Sequence, residues 1–379
     1  MISRRAFLSS ISAVCVPGAG WARSGVGAPE DLGDGWAVAA PSEAGFDPVV
    51  LGELVEMIND GVTAPNVHAV VIERAGRLVF EQYWQGSEYI LFEQTFSTGP
   101  RGPETLHDVR SISKSVTALL LGIALEGAGP EVLQRPIASF FPDRDDLGDH
   151  LAPLTLFHVL TMTAGLEWNE TIVPYTSQRN DFVRMVGRGD PVGFVLGKPV
   201  REVPGKVWTY NSGLTDVVAG VIEHLTGQPF AVFAQDALFK PLGIATYEWG
   251  SPKAWGERHF PNASAGLRLR ARDLARIGLL VRQEGRWGGR QVVPESWMQA
   301  ATREQVQIDP FWRYGYGYYW FRGELISGDD VIVAAGSGGQ RLFCLPELDV
   351  AVTLYAGNYE GGEDGVAERV IGRIMRALR

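Results

Sequence analysis

Ser111 and Lys114 stand three residues apart in the run Ser111-Ile112-Ser113-Lys114-Ser115, which leads into a long apolar stretch. On a helix this spacing puts both side chains on one face, about 5–6 Å apart between Cβ atoms. The chain has 34 cationic residues, and only five of them are lysines. Arginine supplies surface charge but keeps its proton, whereas a lysine taken out of water can give its proton up. A lysine one helical turn after a serine is therefore a base beside a nucleophile, and Ser111 would lie at the positive end of the helix dipole. Ser113 is adjacent to Lys114 on a different face, and Ser115 has no lysine after it, so Ser111 is the preferred nucleophile. With 19 serines and five lysines, chance alone supplies about 0.25 such pairs. A capping serine followed by a surface lysine would look the same.

A nucleophile of this kind needs a second proton-transfer group, because the leaving group must be protonated. Tyr210, in Tyr210-Asn211-Ser212-Gly213 just before a helix, is the best source, and Lys114 beside it would stabilise a phenolate. Ordinary core packing is the other reading of that tyrosine. The developing oxyanion needs backbone donors. Gly336-Ser337-Gly338-Gly339-Gln340 opens a strand with three glycines, which let a substrate carbonyl approach the main chain closely. The same run also suits a hairpin turn.

Taken together, these elements resemble the serine β-lactamase and penicillin-binding-protein superfamily, whose hallmarks are Ser-x-x-Lys, then Tyr-x-Asn or Ser-x-Asn, then Lys-Thr-Gly. The similarity runs through His158-Val159-Leu160-Thr161-Met162-Thr163-Ala164-Gly165-Leu166, Ala265-Gly266-Leu267-Arg268, Arg272-Asp273-Leu274-Ala275 and Tyr314-Gly315-Tyr316-Gly317-Tyr318. It is greatest to the 6-aminohexanoate-dimer hydrolase and class C-like (family VIII) esterase branch. The resemblance implies Ser111 as nucleophile, Lys114 as base and Tyr210 as proton shuttle. It also implies an oxyanion hole from the Ser111 N–H and one near Gly339 and Gln340. Tyr175 resembles a position where a second tyrosine contacts the scissile group in the amide-hydrolysing branch.

Two departures matter. The second motif is Tyr-x-Ser, so Ser212 stands where an amide contacts substrate in the β-lactamases. The third motif has neither Lys-Thr-Gly nor His-Thr-Gly, residues 331–345 contain no lysine or histidine, and Ser337 occupies that neighbourhood. The family's cation there binds the carboxylate of penicillins and peptidoglycan stems, so its loss points away from them; Arg341 is the one nearby substitute. The expected activity is hydrolysis of small ester or amide substrates. A β-lactamase or D,D-carboxypeptidase is the enzymatic alternative. A fold-retaining sensor or binding protein that acylates without deacylating is the alternative of another class, since Glu167 and Glu170 read as solvated rather than as deacylating bases.

No Gly-x-Ser-x-Gly, His-Glu-x-x-His or Walker motif occurs, and the six histidines lack metal-ligand spacing, so neither a cofactor nor a metal is expected. His158 reads as structural. The net charge of −10 argues against nucleic acid as a partner, and no apolar run is long enough to span a membrane. Ser3-Arg4-Arg5-Ala6-Phe7-Leu8, a short apolar stretch and small residues up to Ala22 read as a twin-arginine export signal over 1–22, which sends the protein to the periplasm or beyond. With Cys15 inside that signal, Cys344 is left alone, a buried structural thiol in a strand.

The elements that must position these residues follow from periodicity. A helix is expected over Ser42 to Asn59, strands over His68 to Arg74 and Leu78 to Trp84, and a loop over Gly86 to Leu106. Helices are expected at Ser111 to Glu126, Leu156 to Thr163, Gly213 to Thr226, Phe230 to Phe239, Leu274 to Glu284 and Pro294 to Ala301. Strands follow at Tyr314 to Arg322, Val331 to Ala335, Arg341 to Leu345 and Val350 to Tyr355, and Glu363 to Leu378 is a closing helix. The fold class is α+β: an antiparallel sheet built from both ends of the chain and flanked by the terminal helices, with an all-helical domain inserted. The expected domains are 37–106 plus 255–379 for the α/β part and 107–254 for the helical part, with the active site at their interface.

Overall fold

Four central strands alternate with a period of two between two apolar layers. Val70, Ile72, Val331, Val333, Phe343, Leu345, Val350, Val352 and Leu354 face one core, while Ala69, Val71, Ile332, Ala334, Leu342, Cys344 and Tyr355 face the other. A sheet buried on both faces needs helices on both, and the computed structural model of the chain supplies them. It describes residues 26–256, 260–309, 314–359 and 365–378. The proposed signal 1–22 with Cys15, His259 and the aromatic residues Phe311 and Trp312 lie outside the described residues.

The main sheet has nine strands, in the order Ala37–Val38, Arg77–Tyr83, Val67–Arg74, Val350–Ala356, Gln340–Leu345, Asp330–Gly336, Phe321–Glu324, Tyr314–Tyr316 and Val306–Asp309. Every neighbouring pair is antiparallel except the short first one. The centre joins the two ends of the chain, with Val352 opposite Ile72 and Leu354 opposite Val70. Helices Pro48–Asn59 and Val366–Ala377 cover one face through Leu51, Leu54, Val370 and Ile374. Ala271–Arg282 lies on the other face, where Gly278 admits Leu342 and Ala351. Helices Ile112–Ala124 and Gly213–Thr226 share that second core. This is the expected α+β architecture. Among the described residues no single helix is long and apolar enough to cross a membrane.

Several boundaries differ from the expectation. The first helix begins at Pro48, because Asp47 caps it by accepting the Val49 N–H at 2.9 Å, and Pro41–Ala44 forms a separate 3-10 turn. The stretch expected as a loop after Gly86 contains a hairpin, Gly86–Ile90 with Thr95–Gly99. Its inward residue is Glu88, fully buried against His107 and Arg101, while Phe96 points outward, so the usual apolar alternation is inverted. The expected strand Tyr314 to Arg322 is two strands, Tyr314–Tyr316 and Phe321–Glu324. The chain reverses where Tyr319 adopts φ 62°, a conformation a tyrosine does not advertise. The helical span also begins and ends in strands: His107–Asp108 and Tyr247–Trp249 both pair with Leu267–Leu269.

Candidate active site

Ser111 stands at the start of helix Ile112–Ala124, immediately after Arg110, whose φ of 53° turns the chain sharply out of strand His107–Asp108. Holding a non-glycine residue there costs of order 1–3 kcal/mol. The turn is held by the rest of the Arg110 side chain, which donates to the Tyr89 carbonyl, pairs with Asp108 at 3.5 Å and lies 4.5 Å from the Tyr359 ring centroid. The Ser111 hydroxyl is not spent on capping its helix. By contrast, Ser113 Oγ donates to the Arg110 carbonyl at 2.6 Å and Ser115 Oγ to the Tyr319 carbonyl at 2.7 Å, which leaves Ser111 as the serine of the three that faces the site.

Lys114, one turn on, is only 2% exposed. Its Nζ donates to Ser111 Oγ at 2.9 Å and to the Ser264 carbonyl at 2.8 Å. Tyr210 OH donates to the same Ser111 Oγ at 2.7 Å, and Lys114 Nζ lies 5.0 Å from the Tyr210 ring centroid. Three side chains separated by up to 99 residues thus meet at one oxygen. The His158-to-Leu166 stretch frames this arrangement: the Met162 carbonyl accepts the Thr209 N–H at 2.9 Å and the Thr163 carbonyl accepts the Gly205 N–H at 2.8 Å. His158 itself accepts the Thr155 N–H through Nδ1 at 3.2 Å and caps its own helix.

The glycine-rich turn closes the other side. Gly338 and Gly339 have φ near 90°, a region that favours glycine. Gly336 ends its strand so close to the Val109-Arg110 turn that a Cβ there would lie 2.4 Å from the Val109 carbonyl oxygen. The Gln340 side chain is tied down, donating to the Ala356 carbonyl at 2.5 Å and accepting the Ala356 N–H at 3.1 Å. Ser337 is exposed at the tip of the turn. Arg341, the candidate substitute cation, donates to the Gly336 and Gln340 carbonyls at 3.0 and 2.9 Å and is committed to its own hairpin. In the turn before the helix, the Val109 N–H donates to the Leu267 carbonyl at 3.0 Å and the Ile112 N–H to the Val109 carbonyl at 3.2 Å.

Glu170 corrects the sequence reading. It was expected to be solvated, yet it is buried and accepts four hydrogen bonds: from Trp168 Nε1 at 2.8 Å, Ser212 N at 2.8 Å, Ser212 Oγ at 2.5 Å and Tyr175 OH at 2.9 Å. Ser212 is therefore buried with its hydroxyl on a carboxylate, and Tyr175, 52% exposed, is tethered at the rim by the same group. Glu167 pairs with Arg201 at the surface, as expected. A lone acid inside the Trp168 to Tyr175 stretch gives no periodic signal, so only its partners reveal it. Among the described residues no group of three His, Cys, Asp or Glu side chains is disposed to hold a metal ion. Cys344 is a free buried thiol, and burial pushes its pKa up.

The chain is 30% identical over 155 residues to esterase EstB of Burkholderia gladioli, a match covering 38% of each protein. It is 24% identical over 274 residues to the 6-aminohexanoate-dimer hydrolase of Paenarthrobacter ureafaciens, covering 66% of each. Both matches span less than two thirds of the relative's length. In fold it is similar to the octameric penicillin-binding protein homologue of Pyrococcus abyssi, with a TM-score of 0.66 at 17% identity, covering 86% of this chain and 77% of that one. The Beta-lactamase family profile matches residues 55–373, and the chain belongs to that family.

Proposed function

We propose that the protein is a serine hydrolase that cleaves ester or amide bonds of small substrates through an acyl-enzyme on Ser111. The observation that carries this reading is the convergence of Lys114 Nζ and Tyr210 OH on Ser111 Oγ, at 2.9 and 2.7 Å. As Ser111 Oγ bonds to the substrate carbonyl carbon, its proton passes to Lys114. The carbonyl electron pair moves onto oxygen, facing the N–H groups of Ser111 and Gln340 beside Gly339. Collapse breaks the C–O or C–N bond, and Tyr210 gives the leaving group its proton, drawing a replacement from the Lys114 ammonium. Water then attacks the acyl carbon and loses its proton to this pair; collapse breaks the bond to Ser111 Oγ, which takes that proton back as the acid leaves.

The relatives named as an esterase and a 6-aminohexanoate-dimer hydrolase support ester or amide bonds as the class. With Arg341 committed to its own hairpin and Ser337 in the cation's neighbourhood, substrates that present a carboxylate there are disfavoured. A fluorophosphonate probe is expected to label Ser111, and Ser111→Ala to abolish turnover of p-nitrophenyl esters. Full activity in that variant, or nitrocefin turned over as fast as esters, would refute the respective part of the reading.

A further inference from the structure

Helix Gly213–Thr226 buries Leu214, Val217, Val218, Val221 and Ile222, and among these apolar groups sits Asp216, with no exposed surface. An acid that served only the helix dipole would lie in water. This one is engaged by a single segment, residues 262–264. Its oxygens accept Asn262 Nδ2 at 3.2 Å each, the Ala263 N–H at 2.9 Å and Ser264 Oγ at 2.9 Å. Ser264 is the residue whose carbonyl holds Lys114 Nζ at 2.8 Å.

We propose that Asp216 is a positioning residue for Lys114. By gripping Asn262, Ala263 and Ser264 it fixes the Ser264 carbonyl, which in turn aims the amine at Ser111. One helix then sets both proton-transfer groups: Tyr210 on its approach and the anchor of Lys114 from its first turn. The inference rests on Lys114 being the base. Charge around Asp216 is mixed, since Lys114 favours its ionised form, Glu170 opposes it, and the buried phenol of Tyr319 lies near it. Burial is the largest influence and pushes its pKa up to about 7. A proton on Asp216 would turn one acceptor into a donor facing donors, so the grip on residues 262–264 loosens as pH falls below that value.

The test compares the full chain with Asp216→Asn and Ser264→Ala, reading kcat and KM for a p-nitrophenyl ester per site titrated with a fluorophosphonate. Asp216→Asn is expected to lower kcat per titrated site about 10- to 100-fold near pH 8, with KM little changed. The ratio of variant to wild-type kcat should rise as pH falls from about 8 to about 5.5, because the wild type progressively loses what the variant already lacks. Ser264→Ala, which keeps the carbonyl and removes one donor, should move kcat in the same direction by less. Wild-type kcat per site in both variants, or a ratio that does not change with pH, overturns the proposal. If Asp216→Asn yields no titratable protein, wild-type kcat per site in Ser264→Ala overturns it alone. A wild type that takes no label, or an active Ser111→Ala, instead brings down the reading of the site itself and this inference with it.

Discussion

At the scale of single residues, the proposed reaction separates a proton acceptor from a proton donor. Lys114 is buried with one hydrogen bond on a carbonyl and one on the Ser111 hydroxyl, a place where an arginine could keep the charge but not accept a proton. Lys114→Arg is accordingly expected to lower kcat by about 10²–10⁴. Tyr210→Phe keeps the ring beside the amine and removes only the hydroxyl. Since that hydroxyl is assigned to the leaving group, the variant should lose more with alkyl esters or anilides than with p-nitrophenyl esters, whose leaving group departs as an anion. Equal losses on both substrate types would assign Tyr210 to nucleophile activation instead. Ser111, Lys114 and Tyr210 were legible in the sequence because their types and order are themselves the signal. Asp216 and Glu170 were not. Their meaning lies in partners 46 to 48 and 42 residues away, and a lone acid near a helix start reads equally well as a dipole effect.

At the scale of elements, the strand that ends at Gly336 comes close against the turn that presents Ser111. A methyl group at 336 would meet the Val109 carbonyl oxygen at 2.4 Å and Arg110 Cβ at 3.0 Å, and neither is the free end of a flexible chain. Gly336→Ala should therefore push the Val109-Arg110 turn and displace Ser111 from its two partners. Overpacking of this kind costs about 1–3 kcal/mol, and kcat should fall more than that loss of folded protein explains, measured per titrated site. Unchanged kcat per site would show that the strand end yields instead. The central strands and long helices were readable from apolar period. The hairpin after Gly86 was not, because its buried position is a glutamate; nor was the reversal at Tyr319, because a tyrosine carries no turn signal.

For the whole molecule, buried titratable groups pull stability in opposite directions with pH. Asp216 and Asp108 are pushed up to about 7 and about 6 from 3.8, chiefly by burial. The native state therefore takes up their protons before the unfolded chain does, and they add stability as pH falls from those values toward 3.8. His68 is pushed down to about 3 from 6.5, again chiefly by burial, so stability is lost as pH falls through 6.5 toward 3. Glu88 behaves the same way lower down: held at about 2 against 4.5 by His107 and the Asp108 N–H despite its burial, it costs stability as pH falls below 4.5. Asp216→Asn isolates one of these contributions. Above pH 7 the wild type bears the cost of an ionised carboxylate in a dry core, so the variant's deficit in melting temperature should be smallest there. It should grow toward pH 4, as the wild type gains a proton that asparagine cannot take. Activity is expected to run the other way, with the variant closest to the wild type at low pH. A residue that merely holds the fold would make stability and activity fall together, and parallel trends in melting temperature and kcat would refute the division argued here. Opposite trends result if the ionised carboxylate is retained, at a cost to stability, for its hold on the carbonyl that aims Lys114.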